Sequence, residues 1–402
     1  MSTDVVVIGG GISGAAAAYY LSKREEIGDV TLLEQGENLG NGSTPRAVGG
    51  VRSMYSTPVH VELSLASRPV WREFESELGF EIDYRENGYL FGVRSRTQYE
   101  SLRKDVIMQN RLGAGTEFLT PEEATEIVPG LETDTYVAAA WSPKDAMMDA
   151  HSALQAYGTL ARENGVDIRV ESRVTDLLQG ANGRVTGVEV NGGKDEGGTE
   201  LEADYVINAA GSWGHRIAAM AGVEIPISPK KRRAAFFEPE RTVPEDLPLV
   251  MDLESGAYFR PEDEQFVTGG GHFHPDDPDV DPDEPSSFSD SVDLEWATDA
   301  MDALVEMADY FGPETRVAEG WSGVYAISPS NHPIIEESVP GLVNDIAHSG
   351  RAFMHAPATG QIVADLVADG ETDIVDRTAL QTDGAVDRRG QLPIPYQADM
   401  YE

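Results

Sequence analysis

The sequence predicts an α/β protein with two parts: a discontinuous domain built on a parallel sheet, and a second, α+β domain built on antiparallel strands. Two observations support this prediction. The chain opens with an unbroken β-branched strand at 5–8, and alternating helix and strand patterns return from 149 and again from 342. The blocks between these segments contain mainly short strands. Unbroken β-branched runs are typical of parallel strands that are covered on both faces.

The first unit of the chain has the pattern of a dinucleotide-binding turn. The strand 5–8 is followed by GGGISG, which fits G-x-G-x-x-G, and then by the helix 15–21. Gly9 would turn the chain, Gly11 would let backbone approach a pyrophosphate, and Gly14 would let the helix pack on the strand. The helix N-terminus would face the phosphates, where its free N–H groups favour negative charge.

A second strand completes this Rossmann-like unit. The apolar run 30–33 ends in Glu34, about 20 residues beyond Gly14, where an acid accepts hydrogen bonds from ribose hydroxyls and disfavours a 2′-phosphate. A glycine-rich turn alone is weak evidence, but here strand, turn, helix, second strand and acid occur together. The unit predicts a dinucleotide site without distinguishing FAD from NAD.

The charge balance argues against several classes of partner. The 402 residues include 70 acidic and 30 basic ones, a net charge of −40, and such a field repels nucleic acid and anionic lipid. Because 40% of the residues are apolar, we interpret the acidity as the solvated surface of a globular enzyme from a halophile, where salt screens the self-repulsion. The sequence contains no cysteine, which excludes disulfides, thiolate metal sites and a thioether-linked cofactor. No metal site is predicted.

The amino terminus and the apolar runs indicate a cytoplasmic protein. Nothing before Asp4 resembles a signal peptide, and no apolar run approaches the roughly 18 residues of a membrane span. We therefore expect a cytoplasmic location and no membrane span.

The remaining elements are predicted from periodicity and turn residues. Glycine, serine and threonine in 36–50 predict a loop beside the pyrophosphate end of the site. Thr120, Pro121 and Glu123 predict a capped helix start. Further helices are expected at 58–78, 100–112, 149–163, 294–311 and 357–368, strands at 89–93, 167–170, 173–177, 185–190, 205–211, 233–238, 257–260, 265–269 and 342–347, a hairpin turn at 191–199 and a solvated acidic loop at 276–293.

The domain organisation follows from the strands 205–211 and 342–347, which are expected to rejoin the sheet begun at 5–8. The dinucleotide-binding domain would then be discontinuous, comprising 1–80, 146–224 and 321–375. The substrate domain would comprise 81–145 and 225–320, and 376–402 would be a carboxyl-terminal tail.

Several stretches, in order over nearly the whole chain, match one family. They are DVVVIGGGISGAAAAYYLS with Glu34, NGSTPRAVGGVRSMY, DYVINAAGSWG, AYFRPE before VTGGGH, and GWSGVYAISPSNHPII before HSGRAFMHAPATG. The chain resembles the D-amino-acid oxidase and sarcosine oxidase family of FAD flavoproteins. Within it, the chain is most similar to the branch that contains the sarcosine oxidase β-subunit, glycine oxidase and dye-linked proline dehydrogenase. The motifs are specific for the family and much less so for the substrate.

The resemblance implies FAD as the resident cofactor, with Val174 near the adenine side and 350–354 along the flavin. From the residues themselves, a helix N-terminus at 357–360 would supply a positive dipole for a reduced flavin. The expected cofactor contacts are Gly9, Gly11, Ile12, Ser13, Gly14, Glu34, Gln35, Gly42, Ser43, Thr44, Arg46, Gly49, Gly50, Val174, Ala209, Ala210, Gly211, Trp213, Gly350, Arg351, Ala352, Phe353 and Met354.

The resemblance also implies a set of substrate-binding residues. Arg52 occupies the position of an arginine that binds the amino-acid carboxylate in sarcosine oxidases, which suits a bidentate guanidinium; the alternative is a structural salt bridge. Tyr258 and Tyr325 would face the flavin, or be core tyrosines. His272 would influence protonation of the amine, or simply lie in a turn. Arg351 is expected to assist Arg52.

Four positions depart from the family pattern. Thr268 stands where sarcosine oxidases have a lysine that promotes reaction with oxygen, which favours a dehydrogenase over an oxidase. Gly323 and Arg46 stand where relatives attach the flavin through a cysteine or a histidine, which predicts noncovalent FAD. Met354 replaces a lysine that helps to bind the carboxylate, so binding of the anion would depend mainly on Arg52.

The sequence therefore predicts an FAD-dependent dehydrogenase that oxidises the C–N bond of a small amino acid, secondary or N-methylated, such as sarcosine, dimethylglycine or proline. Arg52 and a tyrosine would hold the carboxylate, the neutral amine would donate a hydride to flavin N5, and a quinone or a protein carrier would accept the electrons. Two alternatives remain open. One is oxidation of a 2-hydroxy acid with His272 as base, and the other is a flavin-bound assembly factor without turnover.

Overall fold

The computed structural model describes residues 3–192, 195–271, 279–283 and 291–382. The first half of the chain contains β1 (Thr3–Ile8), α1 (Ile12–Leu21), β2 (Ile27–Leu33), β3 (Gly50–Val51), α2 (Pro58–Arg72), α3 (Phe74–Leu78), β4 (Tyr89–Val93), α4 (Arg96–Leu112), β5 (Glu117–Leu119), α5 (Pro121–Ile127), β6 (Ala138–Ser142), β7 (Ala146–Met147) and α6 (Ala150–Glu163). The second half contains β8 (Asp167–Arg169), β9 (Ser172–Gln179), β10 (Val185–Gly192), β11 (Asp195–Glu202), β12 (Tyr205–Asn208), α7 (Gly214–Met220), β13 (Ser228–Glu238), β14 (Leu249–Asp252), β15 (Tyr258–Pro261), β16 (Val267–Gly270), α8 (Leu294–Met307), β17 (Arg316–Ile327), β18 (Ile334–Val339), β19 (Leu342–Ile346) and α9 (Ala352–Ala368).

A six-stranded sheet lies at the centre of the first layer, in the order β18-β19-β12-β1-β2-β8. All neighbours are parallel except the edge strand β18. Val5 and Val7 pack with α1, α6 and α9 on one face, and Val6 and Ile8 pack with β9, β10 and α7 on the other. Burial on both faces is why the strand lacks alternation. Three distant segments therefore build one sheet, as the sequence predicted.

An eight-stranded sheet forms the second layer, in the order β17-β13-β16-β15-β14-β4-β6-β5. Its neighbours are antiparallel except for β14 and β4, which are parallel. Helix α8 covers one face, where Trp296 and Leu304 pack with Phe237 and Phe259. The fold class predicted from the sequence is confirmed. The parallel pair β4 and β14 joins segments about 160 residues apart, so no local sequence pattern predicts it.

Several predicted boundaries differ from the observed ones. The predicted helix 58–78 is interrupted at Glu73, which separates α2 from α3. Strand β17 starts at Arg316, so the proposed domain boundary at 321 falls inside a strand of the eight-stranded sheet. Beyond the proposed boundary at 376, Leu380 is fully buried in the main core. Parts of the predicted hairpin turn 191–199 and acidic loop 276–293 lie outside the described residues.

Helix α9 begins at Ala352, five residues before the start that Pro357 suggested, so the predicted N-terminus at 357–360 is wrong. A proline lacks the N–H that a helix interior requires, and it usually marks a first turn. Here α2 compensates. The Ser67 hydroxyl accepts a hydrogen bond from the Ala358 N–H at 3.2 Å, and the Trp71 indole donates one to the Met354 carbonyl at 2.9 Å. In the described ranges, no helix is long and apolar enough to cross a membrane.

Candidate active site

A cavity lies between the carboxyl ends of the parallel strands and the inner face of the eight-stranded sheet. The parallel layer lines it with residues 12–13, 43–44, 211–212 and 347–354. The antiparallel layer contributes Tyr89, Leu249, Met251 and Tyr258, among others. Ligands of open α/β sheets bind outside the carboxyl ends of their strands, so this cavity lies where the fold places a dinucleotide.

The glycine turn is shaped for close backbone approach. Gly9 has φ +110°, and a Cβ there would lie 2.5 Å from the Ala209 carbonyl oxygen. A Cβ on Gly14 would lie 1.9 Å from the Gly9 carbonyl oxygen, so the helix and strand could not pack this closely with any other residue. A Cβ on Gly11 would meet only the Thr44 hydroxyl, at 3.5 Å. The Ile12 N–H donates to that hydroxyl at 3.1 Å, at the helix end that suits a pyrophosphate.

Glu34 connects the glycine turn to the loop that follows β2 by accepting hydrogen bonds from both. Its Oε2 accepts from the Gly10 N–H and its Oε1 from the Gly36 N–H, both at 2.7 Å. Each carboxylate oxygen keeps a second lone pair for a ribose hydroxyl. The geometry of the turn and of Glu34 therefore fits an adenine dinucleotide.

The other predicted cofactor residues divide into two groups. Those on the cavity wall are Ile12, Ser13, Ser43, Thr44, Arg46, Gly49, Gly50, Gly211, Gly350, Arg351, Ala352, Phe353 and Met354. Those set back from it are Gly9, Gly11, Gly14, Glu34, Gln35, Gly42, Val174, Ala209, Ala210 and Trp213. Within the second group, Val174 of β9 is buried in a hydrophobic core, Gln35 is exposed, and the Trp213 indole donates to Asp283 at 2.7 Å. Their contacts with the cofactor stay predictions.

Arg52 lies on the cavity wall and is only 9% exposed. Strand β3, paired with β7, positions it, and its Nη1 donates to the Met54 carbonyl at 2.6 Å. Its guanidinium carbon lies 4.2 Å from the centre of the Tyr55 ring and 5.3 Å from that of Phe91. A desolvated guanidinium held against aromatic rings is suited to binding a carboxylate.

Three further predicted substrate residues reach the same cavity. Tyr258 from β15, Tyr325 from β17 and Arg351 at the start of α9 all line it. Gly350 has φ +83°, and a Cβ there would lie 2.1 Å from the Tyr325 ring, so glycine is required for the ring to pack on this loop. The structure thus brings these residues to the cavity that contains Arg52, whereas His272 lies outside the described residues.

The charge of the cavity wall is opposite to that of the whole protein. The basic residues that line it are Arg46, Arg52, Arg232, Arg233 and Arg351, and Asp345 is the one carboxylate among the lining residues of the described ranges. Such a concave, cationic site concentrates anions. Sequence analysis missed Arg232 and Arg233, although the run KKRR at 230–233 stands out in a chain with 30 basic residues.

Asp345 and His348 are two further residues that the sequence analysis missed. Asp345 is buried at the end of β19, with one carboxylate oxygen 3.0 Å from His348 Nε2. Neither carboxylate oxygen accepts a hydrogen bond from any described residue. The loop after them holds Ala347 and Ser349 at φ +60° and +51°, a strained backbone of the kind found at functional sites. The sequence signal that could have identified Asp345 is a charged residue near the end of a buried strand.

Fold and cavity together define a nucleotide-binding oxidoreductase whose cavity lies between a parallel and an antiparallel layer. The chain belongs to the family described as FAD dependent oxidoreductase (DAO), whose model matches residues 4–366. Its cofactor is FAD, which the glycine turn, Glu34 and the cationic cavity fit. The family resemblance, the fold class and the cofactor predicted from the sequence are therefore confirmed.

Individual proteins extend the same comparison. The chain is 26% identical to FAD-dependent oxidoreductase domain-containing protein 1 of Xenopus laevis, over 91% of this chain and 79% of that protein. It is 26% identical to glycine oxidase of Geobacillus kaustophilus, over 92% of this chain and 94% of the oxidase. The crystal structure of L-proline dehydrogenase from P. horikoshii matches with a TM-score of 0.83 and 28% identity, covering 95% of this chain and 97% of that one.

Proposed function

We propose that the protein is an FAD-dependent dehydrogenase that oxidises the C–N bond of a small amino acid, of the secondary or N-methylated kind such as proline, sarcosine or dimethylglycine. The observation that carries the proposal is the buried Arg52, which shares one cavity with the segment 350–354. The similarity to an L-proline dehydrogenase and a glycine oxidase supports the same class of substrate.

Some residues of the cavity bind the substrate, and others exclude water. Arg52 binds the carboxylate through two charge-assisted hydrogen bonds, and Tyr258 or Tyr325 orients the anion or the amine. Leu249 and Met251 form an apolar wall that keeps water from the reacting C–H bond. Bound FAD supplies the hydride acceptor, and the imine that forms is hydrolysed by water. Positioning then does most of the catalysis, because a deprotonated amine needs no further base.

The position of Thr268 supports a dehydrogenase. Thr268 is buried on β16, where its hydroxyl donates to Glu262, so the cation that sarcosine oxidases place here is missing from this position. Arg260 stands opposite Thr268 on β15 and is paired with the same Glu262 at 2.6 Å. On β13, Arg233 pairs with Asp293 at 3.2 Å, and the Arg232 guanidinium lies over the Tyr325 ring. We therefore propose a quinone or a protein carrier, rather than oxygen, as the electron acceptor.

Anaerobic titration of the holoenzyme in high salt tests the proposal. Sarcosine, dimethylglycine, L-proline, glycine and a 2-hydroxy acid are added separately while the flavin absorbance is followed. We expect secondary or N-methylated amino acids to bleach the flavin, and reoxidation to be faster with a quinone than with air. Bleaching by hydroxy acids alone would favour the 2-hydroxy-acid alternative, and no bleaching by any compound would favour the assembly role.

A conservative variant tests the role of Arg52. Arg52→Lys keeps the charge but loses the planar pair of donors, so we expect substrate affinity to fall by about 10- to 100-fold, the worth of roughly 1.5 to 3 kcal/mol. Arg24→Lys, at a surface ion pair with Asp369, is the matched control and should bind substrate normally. Equal affinities in the two variants would assign the carboxylate to another residue.

A further inference from the structure

Three histidines lie behind the substrate end of the cavity and form a connected row of rings. His355 of α9 and His60 of α2 stack with ring centres 5.5 Å apart, and His332 follows His60 at 5.1 Å. The Tyr55 ring lies 5.1 Å from His60 and 5.9 Å from His355. Tyr55 lines the cavity, with its hydroxyl donating to the Met354 sulfur at 2.6 Å, and His332 is partly exposed. The rings therefore extend from behind the cavity wall toward the surface.

The hydrogen bonds of these rings define which nitrogen carries the proton. His60 Nε2 lies 3.1 Å from the Asn331 carbonyl oxygen, and His332 Nδ1 lies 3.2 Å from that of Ala379, so both nitrogens are donors. Ser64 donates its hydroxyl proton to the His60 carbonyl at 2.8 Å and therefore accepts from His355 Nε2 at 3.0 Å. Each neutral ring has used its one N–H.

The second nitrogen of each ring is therefore a lone-pair acceptor. These atoms are Nδ1 of His60, Nδ1 of His355 and Nε2 of His332, all buried and without a hydrogen-bond donor among the described residues. A buried polar atom without a partner is costly and points to a function or to bound water. Among the described residues no cluster of His, Cys, Asp or Glu is arranged to hold a metal ion.

The charges around the row keep the three rings neutral. Burial lowers the pKa of each histidine, and the Arg351 guanidinium lowers it further, bringing the pKa of His332 to about 4. Arg52 and His348 also face His355 and act in the same direction. Rings of this kind accept a proton only in passing, which suits transfer better than storage.

The proposed reaction requires a path for a proton. An amino acid enters as an ammonium, R₂NH₂⁺, and must become R₂NH before the C–H electron pair can leave as hydride. The N–H bond breaks, its electron pair stays on nitrogen, and the proton must depart. The acidic surface of the protein, at net −40, favours release outside.

We propose that His355, His60 and His332 form a proton outlet between the cavity and the solvent, with water bridging successive lone pairs. This inference rests on the proposed function for the source of the proton. The route also works in reverse, because reduction of FAD by two electrons takes up a proton. That reverse direction needs no amino acid, so it can be tested whichever substrate the protein uses.

The test is anaerobic photochemical reduction of the holoenzyme by a soluble deazaflavin, with EDTA as the electron donor, in weakly buffered high salt with a pH-indicating dye. Protons released by the donor are measured without protein and subtracted. In the wild type, proton uptake should keep pace with bleaching of the flavin. In His60→Gln it should lag by at least about tenfold, the range of a lost proton-transfer group, and added imidazole should shorten the lag. The control is His151→Gln, an exposed histidine of α6, which should behave as the wild type.

A second variant keeps the test decisive if His60→Gln does not fold or does not bind FAD. His332→Gln lies at the partly exposed outer end of the row, off the cavity wall, and should show the same lag with its FAD content unchanged. Synchronous proton uptake and bleaching in FAD-loaded His332→Gln would overturn the outlet. A lag that imidazole does not shorten in either variant would also overturn it, because it would indicate a structural role. Neither result depends on whether an amino acid bleaches the flavin.

Discussion

The Trp71 indole of α2 donates a hydrogen bond to the Met354 carbonyl in the first turn of α9, at 2.9 Å. That carbonyl belongs to the segment 350–354, which lines the cavity. Together with Ser67, which accepts from the Ala358 N–H, Trp71 supports the helix on both sides of Pro357. Helix α2 therefore fixes the backbone that is predicted to follow the flavin.

Replacing Trp71 by phenylalanine should weaken both the fold and the cofactor site. Trp71→Phe leaves a buried carbonyl without its donor, so we expect the free energy of unfolding to fall by about 1 to 3 kcal/mol, with weaker FAD binding. Trp296→Phe is the matched control, since Trp296 is also buried and its indole donates to a backbone carbonyl outside the segment 350–354, that of Gly271, at 3.3 Å. Chemical denaturation and flavin fluorescence measure the two effects. Equal FAD affinity in both variants would contradict this role of α2.

Asp345 is expected to accept a hydrogen bond from a hydroxyl of the polyol that links the two halves of FAD. Its carboxylate lines the cavity, and no described residue donates to it. Asp345→Asn should therefore lower FAD affinity by about 10-fold or more, the worth of a bond to a charged group, as measured by fluorescence titration of the apoprotein. If the carboxylate does not contact the cofactor and only faces His348, FAD affinity should be unchanged.

The attachment of FAD can be tested by acid precipitation. The chain has no cysteine. Gly323, at the cavity wall beside Arg46, has no side chain that could form a covalent bond to the flavin. We expect all the yellow colour to stay in the supernatant. A yellow pellet would mean a covalent bond, and His348, whose ring lies at the cavity wall, would be the residue to replace first.

The elements that the sequence predicted well are those with local signals. The strand 5–8 and its glycine turn are specified by contiguous residues, and so is the capping box in which Thr120 and Glu123 bond reciprocally. The start of α9 was mispredicted because Pro357 is a local stop signal that two side chains of α2, about 290 residues away, override. The row of histidines and Tyr55 comes from segments that are distant in sequence. No spacing in the sequence therefore predicts that these residues lie together.

Asp105 of α4 is a buried carboxyl group outside the cavity. It is 5% exposed, and its Oδ2 has no donor among the described residues. Burial raises the pKa of Asp105 to about 7, against a smaller opposing effect of Lys104. The folded state therefore binds a proton that the unfolded state releases between about pH 4 and 7.

Asp105→Asn should consequently stabilise the protein in a pH-dependent manner. Below about pH 4 the carboxyl is protonated in both states, so the variant should gain nothing. As pH rises toward 7 the wild type loses stability, and above the folded pKa the full cost of the buried charge remains, so the gain should approach about 4 kcal/mol, the worth of a pKa raised by roughly three units. Thermal unfolding in high salt at a series of pH values measures it. Asp302→Asn, exposed on α8, should show no such gain. A gain independent of pH in Asp105→Asn would mean that the pKa of Asp105 is the same in the folded and unfolded states and that the effect is one of packing.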